Sequence, residues 1–308
     1  MTPLRLGTRA SALAVAQSSQ VAESLRARGV RVELVTMTTP GDLDRAPLAG
    51  RAAEGIFVSS VREALLEGSI DVAVHSFKDV PTGRVEGLAF GAVPAREDPR
   101  DALLTRGPAI DALPTGARVG TCSIRRSAWV TRARPDVRVV PIRGSIDQRI
   151  ARLIAGDFDA IVLAQAGLNR LGCPVPARQV VPVLDLVPPP AQGALAVECR
   201  SGDAATMAML AAIDDARTMA AATVERAVLQ AIDPTDGTAL GAVAVVSRGR
   251  LYLLADLACP DGSGRVVVRV SEWVGASGID EHRLVGIGRS VAALLARRHG
   301  TRQLRLAS

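Results

Sequence analysis

Through its first two thirds the chain alternates short apolar runs with amphipathic stretches, and this rhythm constrains the fold more than any other feature. Strand-like runs lie at 30–36, 71–75, 87–93, 117–121, 137–142 and 159–164, and helix-like stretches lie near 11–28, 56–67, 123–133 and 145–155. Such alternation predicts an α/β fold with largely parallel sheets. After about residue 213 the order changes to a helix at 217–232, strands at 242–248, 251–259 and 265–272, and a closing helix at 281–298. This tail is expected to form a small C-terminal α+β domain. The Pro-rich Val187-Pro188-Pro189-Pro190 and the turn Ala95-Arg96-Glu97-Asp98-Pro99 are expected crossings between two earlier lobes. The expected division is 1–94 plus 191–212, then 95–190, then 213–308. No internal repeat is visible in the sequence.

A chain of 308 residues with 48% hydrophobic content can bury a large core. Its net charge of +6 favours anionic partners such as phosphates or polycarboxylates. Nucleic acid is not expected, because there is no basic tail or run and only seven aromatic residues could stack on bases. Cys122, Cys173, Cys199 and Cys259 are widely spaced without a C-x-x-C pair, and only three histidines accompany them, so neither a disulfide framework nor a metal site is expected. The sequence offers no signal-peptide pattern and no membrane-spanning stretch, which makes the cytoplasm the expected location.

Among 37 basic side chains there is a single lysine, Lys78, within His75-Ser76-Phe77-Lys78-Asp79-Val80-Pro81. Arginine is used wherever either cation would serve, so a compact ammonium is expected to be required at position 78. Several arginines fall where a strand ends and a helix begins. Arg9 precedes Ser11, Arg125 and Arg126 follow Thr121-Cys122-Ser123, and Arg143 opens Arg143-Gly144-Ser145 with Arg149 further on. Such junctions line ligand crevices in open α/β sheets, and helix N-termini with added guanidiniums suit carboxylates or phosphates. Repetition at one sheet edge points to a site for several anions.

At these residues the chain resembles the hydroxymethylbilane synthase, or porphobilinogen deaminase, family. The matching segments run in order from Arg5-Leu6-Gly7-Thr8-Arg9-Ala10-Ser11 through Asp71-Val72-Ala73-Val74-His75-Ser76-Phe77-Lys78-Asp79-Val80-Pro81, Arg96-Glu97-Asp98-Pro99-Arg100-Asp101-Ala102 and Val119-Gly120-Thr121-Cys122-Ser123-Ile124-Arg125-Arg126. They continue with Arg143-Gly144-Ser145, Ala166-Gly167-Leu168-Asn169-Arg170-Leu171-Gly172 and Gln192-Gly193-Ala194. The resemblance implies two lobes like those of periplasmic binding proteins with a central cleft, a small third domain, and a monomer. It implies deamination of porphobilinogen and head-to-tail joining of pyrroles, with Asp79 as the catalytic acid and Lys78 beside it. It also implies that the acetate and propionate groups of this small-molecule pyrrole polycarboxylate meet Arg9, Ser11, Ser76, Lys78, Arg125, Arg126, Arg143, Arg149, Arg170 and Gln192.

Family members carry a dipyrromethane cofactor on a cysteine of a third-domain loop, and that position falls on Asp236 here. The loop Ile232-Asp233-Pro234-Thr235-Asp236-Gly237-Thr238 contains no thiol, and a carboxylate cannot form the stable thioether. Other departures are Glu54 where the family has lysine, Ala191 where it has glycine, and Cys122 where it has serine. Cys259 is the third-domain thiol, at a strand-end turn. Three functions follow as expectations. One is an enzyme that makes the azafulvene at Asp79 but passes it to a carbon nucleophile without a covalent primer. Another is an ordinary hydroxymethylbilane synthase with an unconventional or noncovalent primer. The last is a catalytically silent polycarboxylate-binding homologue.

Overall fold

A computed structural model describes residues 2–37, 58–107, 109–175, 177–232, 239–275 and 279–300. Glu54 and Asp236 lie outside these residues. The chain divides into two compact units, Met1–Glu97 with Gly193–Met219, and Asp98–Gln192 with Ala220–Ser308.

The first unit is built on a five-stranded sheet in the order β2-β1-β3-β10-β4, formed by β1 (Leu4–Arg9), β2 (Val32–Met37), β3 (Val72–Ser76), β4 (Leu88–Ala92) and β10 (Leu195–Arg200). β1 runs parallel to β2 and β3, whereas β10 is antiparallel to both β3 and β4. The largely parallel sheet expected from the alternation is therefore mixed. β10 follows a long excursion of the chain rather than a local helical crossover, so nothing imposes a parallel direction on it. Helices α1 (Ala12–Arg26) and α6 (Ala204–Ala211) pack on one face through Val21, Leu25 and Leu210 against Leu6, Val72 and Val74. On the other face α2 (Ser59–Leu66) places Val61 and Leu65 against Ala73 and Ile70. Cover on both faces explains why β3 reads as a continuous apolar run, and each such leucine contributes about 2 kcal/mol by burial.

The second unit contains β5 (Asp101–Thr105), β6 (Arg118–Gly120), β7 (Arg138–Val140), β8 (Ala160–Ala164) and β9 (Ala177–Val180) in the order β7-β6-β8-β5-β9. β6 is parallel to β7 and β8, and β5 is antiparallel to β8 and β9. This is the plan of the first sheet with β6, β7, β8, β5 and β9 in the places of β1, β2, β3, β10 and β4, a structural repeat invisible in the sequence. Helix α3 (Ile124–Ala133) covers one face through Trp129 and Val130, while α4 (Ile146–Ile154) and α5 (Gln165–Leu171) cover the other through Leu153 and Leu168.

The same unit holds an antiparallel sheet, β11 (Ala239–Ser247), β12 (Arg250–Ala258) and β13 (Val266–Trp273). Helices α7 (Ala216–Ile232) and α8 (Glu281–His299) contribute to its core through Val224, Val228, Val291 and Leu295. Gly288 brings α8 to backbone range of α7, since a Cβ there would lie 2.7 Å from the Val224 carbonyl oxygen. Among the described residues no helix is long and apolar enough to cross a membrane.

Candidate active site

In the first unit β1 and β3 end at one edge of the sheet, and the expected catalytic segment leaves that edge. β3 stops at Ser76, and Phe77–Asp79 form a single 3-10 turn closed by the Val80 N–H donating to the Phe77 carbonyl. The turn is anchored from below. Phe77 is buried against Phe90 with ring centroids 4.9 Å apart, Val80 is buried, and the Phe77 N–H donates at 3.0 Å to the carbonyl of Ala194, the residue just before β10. Asp79 is exposed between these two buried residues, and Lys78 is half-buried. The Asp79 carboxylate is thus presented to solvent on a backbone fixed at both sides.

Arg9 is the last residue of β1, and Ser11 caps α1 by accepting from the Ala14 N–H at 3.3 Å. Ser76 shares hydrogen bonds with buried Gln17 of α1 at 2.8 and 3.2 Å. That amide, which ties α1 to the end of β3, was not a candidate from the sequence. Beneath the edge, Arg62 of α2 donates from Nε and Nη2 to the two oxygens of Glu198 on β10 at 2.8 and 2.6 Å. His75 Nε2 lies 3.3 Å from Glu198, near enough for an ion pair but not aligned for a hydrogen bond. Burial pushes the Glu198 carboxyl upward, but the Arg62 hydrogen bonds and His75 outweigh it and hold the group at about 2.

In the second unit the corresponding edge collects the remaining cations. Ser123 caps α3, so Arg125 and Arg126 occupy its first turn. Both are buried. Arg125 donates to Asp101 Oδ2 and to the Val187 carbonyl, the latter at 2.8 Å. Arg126 donates to Asp101 Oδ1 from Nη2 at 2.7 Å and Nε at 3.2 Å, and to the Val162 carbonyl at 2.9 Å. Gln192 reaches the same Asp101 oxygen at 3.0 Å. Burial would raise the Asp101 carboxyl, but the two guanidiniums hold it far below the usual carboxylate range. Asp101 begins β5 opposite Ala164, the last residue of β8, which sets it at this edge. It belongs to a segment that carries the family resemblance, yet a lone acid ahead of Ala102-Leu103-Leu104 gave no sign of its two partners.

Gly144 turns the chain from β7 into α4 with φ +111°, a backbone conformation that L side chains rarely adopt, which favours glycine between Arg143 and Ser145. Gln148 Oε1 in turn accepts from the Ser145 N–H at 3.1 Å. Arg143 is exposed, and Arg149 is half-buried with Nε donating to the Gly144 carbonyl at 2.7 Å. Burial lowers the Arg149 guanidinium's pKa, and repulsion from Arg126 and Arg143 lowers it further. These three arginines therefore share one electrostatic environment, and positive charge accumulates at this edge, the condition for binding anions. Cys122 is exposed nearby and donates weakly to the Ile142 carbonyl at 3.1 Å. Arg170 is half-buried in the last turn of α5.

Five candidates, Arg9, Ser11, Ser76, Lys78 and Asp79, thus belong to the first unit and six, Arg125, Arg126, Arg143, Arg149, Arg170 and Gln192, to the second. No cluster of metal-ligating side chains occurs among the described residues. A covalently attached dipyrromethane requires a thiol, and residues 233–238 contain none. Of the four cysteines, Cys199 is buried and burial raises its thiol pKa, while Cys259 lies 3.8 Å from His299 Nε2. The arginine-rich edge suits the carboxylates of such a group, but the expected loop does not suit its thioether.

The first unit presents an acid on a fixed turn, and the second carries an edge of surplus guanidiniums suited to anions. Residues 4–208 match the family described as "Porphobilinogen deaminase, dipyromethane cofactor binding domain". The chain belongs to the porphobilinogen deaminase family, whose members are transferases. It is 47% identical over 291 residues to porphobilinogen deaminase from Cutibacterium acnes, covering 88% of this chain and 87% of that protein. The Leifsonia xyli subsp. xyli porphobilinogen deaminase is 44% identical over 303 residues, covering 95% and 92%. Among solved structures, the methionine-binding protein MetQ aligns with a TM-score of 0.43 at 12% identity, covering 70% of this chain and 91% of that one.

Proposed function

We propose that the chain deaminates porphobilinogen at Asp79 and transfers the resulting azafulvene unit to a carbon nucleophile that is not tethered to the protein. Loss of ammonia from the aminomethylpyrrole leaves a cation delocalised over the ring, and the Asp79 carboxylate near the pyrrole N–H stabilises that charge as it develops. The same carboxyl delivers the proton needed for ammonia to leave, and it accepts the proton released when the ring regains aromaticity after carbon attack. Lys78, Arg9, Ser11 and Ser76 are assigned to the substrate acetate and propionate groups, with Arg125, Arg126, Arg143, Arg149, Arg170 and Gln192 serving further carboxylates as pyrroles are added.

The observation that carries this reading is an intact Lys78-Asp79 turn in a chain whose residues 233–238 contain no sulfur. A second reading, a hydroxymethylbilane synthase with a noncovalently held dipyrromethane, is favoured by the match of residues 4–208 to a dipyrromethane-binding domain. Incubation with porphobilinogen and measurement of ammonia, product and intact protein mass separates the two. Ammonia release from a protein of unmodified mass, without a linear tetrapyrrole, supports the first reading. Tetrapyrrole formation supports the second, and absence of ammonia release refutes both.

A further inference from the structure

The second unit sets one fully buried carboxylate against two buried guanidiniums, an arrangement whose cost and geometry both call for a purpose. Burying the Asp101 carboxylate costs several kcal/mol, and one arginine already balances its charge. A second arginine leaves the cluster with surplus positive charge, to which Arg143 and Arg149 add. Each of the two guanidiniums is held at two points. Arg125 is fixed by Asp101 and the Val187 carbonyl, and Arg126 by Asp101 and the Val162 carbonyl, so neither plane is free to rotate. A guanidinium has five N–H donors, and these bonds leave donors on both groups without a protein partner. The Gln192 amide is set by the same carboxylate and by the Pro99 carbonyl at 2.8 Å.

We propose that Asp101 is a positioning residue for carboxylate recognition: it fixes the Arg125 and Arg126 guanidiniums and the Gln192 amide in the orientation that receives a substrate carboxylate. This rests on the reading of those three residues as substrate-binding. The alternative role, a counter-charge that only neutralises two arginines, makes the opposite prediction. Removing a mere counter-charge raises the local positive potential and tightens carboxylate binding, whereas removing a positioning group lets the forks turn and weakens it.

The test is calorimetric binding of porphobilinogen in the Asp79→Asn background, which removes turnover. Adding Asp101→Asn is expected to weaken binding about tenfold, and with Asp79 intact the loss in Asp101→Asn is expected in KM rather than kcat. Asp101→Glu keeps the charge but displaces both guanidiniums by one methylene, so it is also expected to bind more weakly, and it decides the matter if Asp101→Asn does not fold. Equal or tighter binding in the folded variant, or a loss confined to kcat, overturns the positioning role while leaving the proposed function standing. If Asp79→Asn alone does not bind porphobilinogen, the proposed function and the role of Asp101 fall together.

Discussion

Glu198 offers the most demanding quantitative prediction. It is 2% exposed on β10 and receives both Arg62 bonds, with His75 at 3.3 Å. Its carboxyl is held at about 2 against an ordinary 4.5, a depression linked to about 3 kcal/mol of folding stability. Because the folded-state value is the lower one, that stability is fully present above pH 4.5 and is lost as the pH falls towards 2. In Glu198→Gln the Arg62 guanidinium remains buried without its counter-charge, so a loss of about 3–5 kcal/mol at pH 7 is expected. Urea unfolding followed by far-UV circular dichroism is the suitable assay, because both tryptophans, Trp129 and Trp273, belong to the second unit and would not report on the first. The difference between wild type and variant should shrink from pH 5 to pH 2.5. Asp71 is also held at about 2, where burial is outweighed by Arg5 and Arg200, but it is unchanged in the variant and cancels. A loss below about 1 kcal/mol at pH 7, or a difference that stays constant across that range, would refute the linkage.

Three further outcomes are expected. Asp79→Asn abolishes ammonia release while retaining porphobilinogen binding, and wild-type turnover in that variant would remove Asp79 from its assigned role. Ala191 adopts φ +60° in a buried segment, its N–H donating to Glu225 at 2.6 Å. Ala191→Gly should therefore stay within about 1 kcal/mol of wild type, because relief of the left-handed strain offsets the lost methyl, whereas Ala196→Gly in β10 should cost about 2 kcal/mol. Equal costs at the two positions in denaturant titrations would show that no strain is stored at Ala191. Gly241→Ala is expected to destabilise by about 2 kcal/mol, since its Cβ would lie 2.6 Å from both the Val187 carbonyl and Asp256. An unchanged melting temperature would contradict that packing.

The sequence by itself determined the elements whose signal is local. The apolar run at 71–75 became β3, the amphipathic stretches at 123–133 and 145–155 became α3 and α4, and Ser11 and Ser123 cap helices at the strand ends where the arginines cluster. The turn that carries Lys78 and Asp79 was equally legible, because the two residues are adjacent in the chain. Two central strands escaped. β5 and β10 each carry a buried acid, Asp101 and Glu198, and a charge within a short apolar run reads as a turn or an edge. Their partners are Arg125, Arg126 and Arg62, of which Arg62 is 136 residues away from Glu198 along the chain. A carboxylate is tolerable in a sheet interior only when cations from other elements surround it, and that condition is set by tertiary packing. The common strand order of the two sheets was hidden for the same reason, since β10 and β5 fill equivalent places but come from opposite ends of their units in sequence.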